Sequence, residues 1–249
     1  MSMENKNAIP KKFLYFELVG VPGSGKTTIA SALEKKFLGE KRIVATGFDF
    51  LKFNKFGRRV YSVLYAFRNA ESMSALAGLI ILFFRLLPYW GAGIADFRFV
   101  FTRHLVRNFL VRKTEAEIYI FDDGTVNRFF VASAGKVIGI DLKNIFRKLM
   151  PFELGFPIVI SVETPIETAV SRVLKDSPEG REFMFEMEKK EMRAFYEEQL
   201  GNQERIINVL KKGIDSGILL LRVDGTLPPE ENAKRIIAEI NKSRTFPQG

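Results

Sequence analysis

The stretch Phe16–Ala30, FELVGVPGSGKTTIA, places three glycines and a lysine between an apolar run and the start of a predicted helix. Residues 20–27 fit the pattern G-x-x-x-x-G-K-[ST], which is typical of phosphate-binding loops. Backbone N–H groups in such a turn point inward, and the helix start adds the positive end of its dipole. The loop therefore predicts a nucleotide site for ATP and Mg²⁺, and the flanking strand and helix argue against a chance match.

The roles within this loop follow from chemistry. Lys26 is expected to reach the β- and γ-phosphates, with no other partner implied for its charge, and the Thr27 hydroxyl is expected to ligate Mg²⁺. Thr28 is either a second polar contact or simply a helix cap. The predicted nucleotide-binding residues are Gly20, Val21, Pro22, Gly23, Ser24, Gly25, Lys26, Thr27 and Thr28.

Apolar runs alternate with helical periodicities along the chain. The first run, KKFLYFELV, carries almost no charge and suits a strand buried on both faces. Further candidate strands are 42–46, 117–121, 157–162 and 218–223. This alternation predicts an α/β fold of three layers, α/β/α, around a five-stranded parallel sheet. Ligands on such sheets bind at the carboxyl ends of the strands.

Local signals also mark the helices. Residues 26–39 carry Ile29, Leu33 and Phe37 on one face, with Gly39 as a stop signal. After the fourth strand, Thr164 is predicted to be the N-cap, with Pro165 in the first turn and Glu167 completing a capping box. The last helix is predicted from one apolar stripe: Ala233, Ile236, Ile237 and Ile240.

The composition limits the class of protein. The chain has 249 residues, 47% of them hydrophobic, which suits a single domain over residues 1–249. The absence of cysteine excludes disulfides and thiolate metal sites and favours a cytoplasmic location. The polar N-terminus lacks the apolar core of a secretory signal.

A second polar feature follows the third predicted strand. Asp122 and Asp123 come directly after the apolar residues 118–121, so they are expected to emerge beside the loop. Asp122 is predicted to belong to the Mg²⁺ shell, and both acids are candidate catalytic residues. The alternative is that Asp-Asp-Gly is an ordinary turn.

With these features, the chain resembles the P-loop nucleoside and nucleotide kinases, specifically their thymidylate-kinase-like branch. The likeness covers residues 13–47, 115–130 and 157–241 and rests on GVPGSGKTT, the acid after IYIF, SVETPIETAVSRVLKD and LLLRVDGTLPPEENAKRI. It implies that Arg172 is catalytic, that a lid spans about 172–185, and that Lys175 and Arg181 contact substrate. It also implies a long helix ending near Phe195-Tyr196, and an Asp224-Gly225 turn near the adenine.

The chain departs from that family at several positions. Asp123 stands where thymidylate kinases usually carry arginine, for which Arg128 is a candidate substitute. Lys175 replaces a common arginine and is a poorer bidentate phosphate clamp. Asp49 follows the second strand, where related kinases often place an acceptor-binding or proton-accepting acid.

The segment between the second and third strands predicts a helical insert over about 50–113. It holds eleven Lys and Arg side chains against Glu71 and Asp96, and the excess of nine equals the net charge of the chain, +9. Such a local potential suits an anionic acceptor. Its long apolar run, 72–95, is interrupted by Arg85 and Pro88, which argues against a transmembrane span.

Two functions follow from these patterns. The first is an ATP-dependent kinase that phosphorylates an anionic small molecule, such as a nucleotide or phosphorylated sugar. The alternative is a nucleotide-driven switch or ATPase that docks on a membrane or nucleic acid through the basic insert. Neither a guanine-reading Asn-Lys-x-Asp nor a second ABC-type signature is visible. The kinase is therefore preferred, a membrane partner is not favoured, nucleic acid is disfavoured, and a homodimer is left open.

Overall fold

A computed structural model describes residues 13–46, 116–122, 124, 126–127, 155–176, 182–213 and 218–244. The strands are β1 Phe13–Val19, β2 Val44–Thr46, β3 Ile118–Phe121, β4 Gly155–Glu163 and β5 Leu219–Asp224. The helices are α1 Lys26–Gly39, α2 Ile166–Lys175, α3 Glu182–Phe185, α4 Lys189–Gly213 and α5 Pro229–Arg244. All five predicted strands are confirmed.

The five strands form one sheet in the order β2-β3-β1-β4-β5. Every pairing is parallel, so the predicted α/β fold with a five-stranded parallel sheet is confirmed. All seven residues of β1 are buried, as expected for a central strand covered on both faces. The glycine loop leaves the carboxyl end of β1, between the ends of β3 and β4.

One face of the sheet packs against α1 and α5. Leu14, Phe16 and Leu18 of β1 share a core with the predicted apolar stripes of both helices. The α1 stripe is buried as predicted, and the members of the α5 stripe are buried or partly buried. Burial of each large apolar side chain contributes about 1.5–3 kcal/mol, so this core fixes α1 and with it the end of the loop.

The opposite face of the sheet lies against α4. Ser161 of β4 alternates with Ile160 and Val162, which face the first core, and its Oγ accepts a hydrogen bond of 2.9 Å from Gln203 Nε2 of α4. A second apolar cluster joins the loop to the helices on this side. Its buried members are Val21, Ala169, Val173, Met184, Met192 and Tyr196. Helices therefore flank the sheet on both faces.

The end of α1 differs from its prediction. Gly39 is still helical, and the left-handed residue is Lys41, with φ 58°. The Arg42 amide donates to Phe37 O at 3.1 Å and the Lys41 amide to Leu38 O at 3.0 Å, which is a Schellman ending. The helix thus ends at Gly39 and the left-handed residue comes two positions later, because packing and this hydrogen-bond pair outweigh the local preference for glycine.

A glycine at position 41 is expected to stabilise the protein. A side chain in the left-handed region costs roughly 1–2 kcal/mol, part of which is offset by the larger entropy of glycine in the unfolded chain. Lys41→Gly should therefore raise the free energy of unfolding in urea by about 0.5–1 kcal/mol. Lys41→Ala removes the same charge and keeps the Cβ, so a gain of equal size in that variant would contradict the explanation.

The segment after α2 also differs from its prediction. Residues 182–200 do not form one helix that ends near Phe195-Tyr196, because α3 and α4 divide them and the aromatic pair lies in the second turn of α4.

No helix within the described ranges is both long and apolar enough to cross a membrane.

Candidate functional site at the glycine loop

The loop between β1 and α1 depends on its glycines. Gly23 has φ 74° and Gly25 has φ 97°, conformations that side-chain-bearing residues rarely adopt. A Cβ on Gly23 would also lie 2.2 Å from Ala169 O of α2. The loop is therefore pressed against α2, and no side chain at position 23 fits without displacing that helix.

Contacts from three distant elements hold the loop backbone. The buried Tyr196 hydroxyl donates to Pro22 O at 3.1 Å, and Thr164 Oγ1 donates to Ser24 O at 3.0 Å. A Cβ on Gly225 would lie 2.3 Å from Ser24 O, so the turn after β5 also touches the loop. The loop is thus fixed by α4, the β4–α2 junction and the β5–α5 turn.

The contact of Thr164 corrects its predicted role. The N-cap of α2 is Pro165, and no side chain caps this helix. The Thr164 hydroxyl instead bonds to the loop. The prediction that Thr164 caps α2 is therefore wrong, because the fold brings the Ser24 carbonyl close and the hydroxyl donates to it.

Lys26 folds back over the loop. Its Nζ donates to Gly20 O at 2.7 Å and to Val21 O at 2.9 Å. The prediction that the Lys26 charge has no partner besides phosphate is therefore wrong. The side chain is half-buried. The ammonium group thus lies at the loop, within hydrogen-bond distance of two of its carbonyl oxygens.

Thr27 and Asp122 meet at the same edge of the sheet. Thr27 lies in the first turn of α1 and Asp122 directly follows β3. Thr27 Oγ1 donates to Asp122 Oδ2 at 2.7 Å, and both side chains are at least partly exposed. Residues 95 positions apart therefore present a hydroxyl and a carboxylate oxygen beside the loop.

These oxygens are the ligand types that Mg²⁺ prefers. The described residues contain no group of three or more His, Cys, Asp or Glu side chains placed to hold a metal ion. Mg²⁺ commonly needs only one or two protein oxygens, with waters and phosphates completing its octahedron. The pair fits a magnesium ion that arrives with a phosphate ligand better than a dedicated metal cage.

The start of α1 carries no neutralising acid. The first turns of α2, α4 and α5 contain Glu167, Glu191 and Glu230 respectively, whereas the first turn of α1 contains none. The first N–H groups of a helix lack intrahelical acceptors and carry its positive dipole end. At α1, that partial charge faces the loop without a carboxylate of its own helix.

Arg172 lies between the loop and the β5–α5 turn. Its Nη1 donates to Gly225 O at 2.9 Å and to Gly23 O at 3.5 Å. The same nitrogen lies 3.5 Å from the position of a Cβ on Gly25. The predicted arginine therefore reaches the loop from α2 and ties it to the end of β5.

The β5–α5 turn is held by its own carboxylate. Asp224 Oδ1 accepts hydrogen bonds from Thr226 Oγ1 at 2.6 Å and from Thr226 N at 2.8 Å. The hydroxyl contact, followed by the amide contact, holds the pKa of the Asp224 carboxyl below its ordinary value. Ionised Asp224 therefore favours the folded turn.

This shift predicts a pH dependence for Asp224. Because its pKa is lower in the folded state, its contribution is present above the unfolded value of about 4 and is lost as the pH falls through the folded value. Asp224→Ala should unfold at a lower temperature than the parent at pH 7. The difference should narrow as the pH drops from about 5 to about 3 in calorimetry. A difference that stays constant with pH would contradict this account.

The remaining predicted residues are less informative. Thr28 is exposed in the first turn of α1, and Lys175 is exposed in the last turn of α2. The predicted lid is described only at 172–176 and 182–185. Several predictions lie outside the described residues: Asp49, Asp123, Arg128, Arg181 and the insert 50–113.

Sequence reasoning missed two buried polar residues at the site. Glu17 in β1 and Asn127 after β3 are both buried, and Asn127 Oδ1 accepts a hydrogen bond of 3.2 Å from Gly20 N. The one available signal was a carboxylate inside a strand predicted to be buried on both faces. Asn127 had no such signal, since its role depends on a contact 107 positions away.

No protein-family model matches the chain, and no curated protein matches it in sequence.

Proposed function

We propose that the protein is an ATP-dependent phosphotransferase of the P-loop kinase type that phosphorylates an anionic small molecule. The observation that carries this proposal is the 2.7 Å contact between Thr27 Oγ1 and Asp122 Oδ2 beside the loop. It brings the hydroxyl of the loop pattern to the acid that follows the neighbouring strand, the combination expected of a nucleotide site.

The loop supplies groups that attract phosphate. Backbone N–H groups of the glycine turn and the first turn of α1 would bind phosphate oxygens. Lys26 would donate to phosphate oxygens from its place over the loop, where its Nζ contacts Gly20 O and Val21 O. Both partners are then charged, and their Coulomb attraction adds to the hydrogen bond, so phosphate oxygens are stronger acceptors for this ammonium group than carbonyls are.

Thr27 and Asp122 would hold Mg²⁺ that accompanies the nucleotide. When bound, the ion would neutralise charge on the phosphates as the phosphoryl group transfers. The hydroxyl and carboxylate are already paired, so little reorganisation of the chain is needed to present both oxygens. Arg172, which donates to the loop backbone from α2, would add a positive charge on the β4 side of the loop.

We base the proposed class of acceptor on the charge of the segment 50–113. The excess of nine positive side chains in 50–113 favours an anionic substrate, and the resemblance to nucleotide kinases favours transfer over hydrolysis. Lys175 and Arg181 are the further candidates for contacts with phosphate, and Asp49 and Arg128 for contacts with the acceptor.

The test is ATP turnover with and without a panel of nucleotides, phosphorylated sugars and lipid acceptors. A kinase should be nearly silent until one anionic acceptor is added, since the transferred group then has a place to go. Turnover that no acceptor changes would favour the ATPase alternative. Failure to bind ATP with Mg²⁺ at all would refute the nucleotide site.

A further inference from the structure

Glu17 is an unusual residue at the centre of the sheet. It lies on the central strand β1 and is fully buried, and it is the one buried Asp, Glu, Lys or Arg among the side chains whose burial the structure describes. Burying a carboxylate costs several kcal/mol unless hydrogen bonds compensate it. An apolar side chain would complete the sheet at lower cost, so the carboxylate needs an explanation other than core packing.

The carboxylate is compensated by donors from two directions. Tyr15 on the same strand donates its hydroxyl to Oε2 at 2.8 Å. Oε1 accepts the backbone N–H groups of Val126 and Asn127, the latter at 3.3 Å. The chain that follows β3 is therefore fastened to β1 through one side chain.

Close packing confirms that this segment lies against Glu17. A Cβ added to Gly124 would lie 2.4 Å from Glu17 Cδ. Phe121, the last residue of β3, is the register partner of Glu17 in the sheet. After Asp122, the chain thus turns back across the carboxylate, and the absence of a side chain at 124 allows this approach.

The same segment reaches the loop. Asn127, whose amide is held by Glu17, accepts the N–H of Gly20 on its own Oδ1. Asp122, at the other end of the segment, accepts the Thr27 hydroxyl. Glu17 consequently anchors a short stretch that touches the loop at its first glycine and at its threonine.

We infer that Glu17 is a positioning residue that sets the spacing between the glycine loop and Asp122. The expected consequence, a change in the Mg²⁺ dependence of nucleotide binding, rests on the proposed function. Its physical content is independent of any ligand, because Glu17 fixes the backbone at 126–127 and, through Asn127, Gly20.

The test compares the parent with Glu17→Gln by two measurements. The first is amide hydrogen exchange without ligand. Weakening a charge-assisted hydrogen bond should speed exchange at 126, 127 and 20 by about tenfold, while strand β4 is unchanged. The second is the ratio of ATP affinities with Mg²⁺ and with EDTA, which should also fall by about tenfold.

Ser161→Ala is the matched control. It removes another buried side-chain hydrogen bond, to Gln203, on the neighbouring strand. It should lower stability without changing the affinity ratio or the exchange of Gly20. The ratio cancels any general loss of folded protein, so a merely structural role for Glu17 would leave it unchanged.

The outcomes separate the two proposals. If the parent binds no ATP, the proposed function fails and the exchange data alone decide the role of Glu17. Unchanged exchange at 126, 127 and 20 in folded Glu17→Gln would overturn the inference. If Glu17→Gln does not fold, Asn127→Ala is measured instead, because it removes the acceptor of the Gly20 N–H. Parent-like exchange at Gly20 in that variant would then overturn it.

Discussion

Replacing Lys26 by alanine is expected to lower the affinity for ATP with Mg²⁺ by about 100-fold or more while the fold survives. Hydrogen bonds from an ammonium group to phosphate contribute about 1.5–3 kcal/mol each, and the substitution removes them. The two loop carbonyls that Lys26 contacts are only part-buried, so water can replace the ammonium group. The free energy of unfolding should fall by about 1 kcal/mol at most.

Titration calorimetry and urea unfolding measure the two effects. Lys35→Ala is the matched control, because it removes an exposed lysine from the same helix, away from the loop. It changes the net charge equally and should bind ATP as the parent does. Unchanged ATP affinity in a folded Lys26→Ala variant would refute the proposed role of the loop.

Asp122→Asn is expected to lower turnover by at least about 100-fold and nucleotide affinity far less. Asparagine keeps the shape of the side chain, and its carbonyl oxygen can still accept the Thr27 hydroxyl. The lost negative charge matters most where charge is rearranged, which is in the transition state. Steady-state kinetics with the identified acceptor, together with calorimetry, separates the two effects.

Glu34→Gln provides a matched control for that substitution. Glu34 Oε1 accepts the Thr46 hydroxyl at 3.0 Å, so the control neutralises another carboxylate bonded to a threonine. It should retain parent turnover. Asp123→Asn should be measured beside Asp122→Asn, because the sequence has two adjacent acids at this position. If both Asp122→Asn and Asp123→Asn keep parent turnover, the two acids only form a turn.

Contiguous patterns predicted the secondary structure well. The strands and the helix after the loop were recognised because period and apolar content are properties of neighbouring residues. The spacing of Lys26 and Thr27 within the loop was equally local. Asp122 was found from its place after a strand, since the carboxyl ends of parallel strands share one edge.

Two local patterns failed at the ends of helices. Thr164 fits a capping box, yet its hydroxyl bonds to Ser24 O, 140 positions away. Gly39 is a reasonable helix stop, yet Lys41 adopts the left-handed conformation because the Schellman hydrogen bonds form there. At Thr164 a distant carbonyl outweighed a capping preference of about 1 kcal/mol, whereas at Lys41 the competing hydrogen bonds are local to residues 37–42.

By itself, the sequence determined the elements of the sheet and the glycine loop, and it predicted which residues would contact phosphate and magnesium. The tertiary structure alone decided the strand order, which places β1 between β3 and β4. It also decided the role of Glu17, whose backbone N–H donors lie 109 and 110 positions away. The physical reason is that a buried carboxylate is stabilised only by hydrogen-bond donors around it. The pairing of β1 with β3 places those donors next to Glu17.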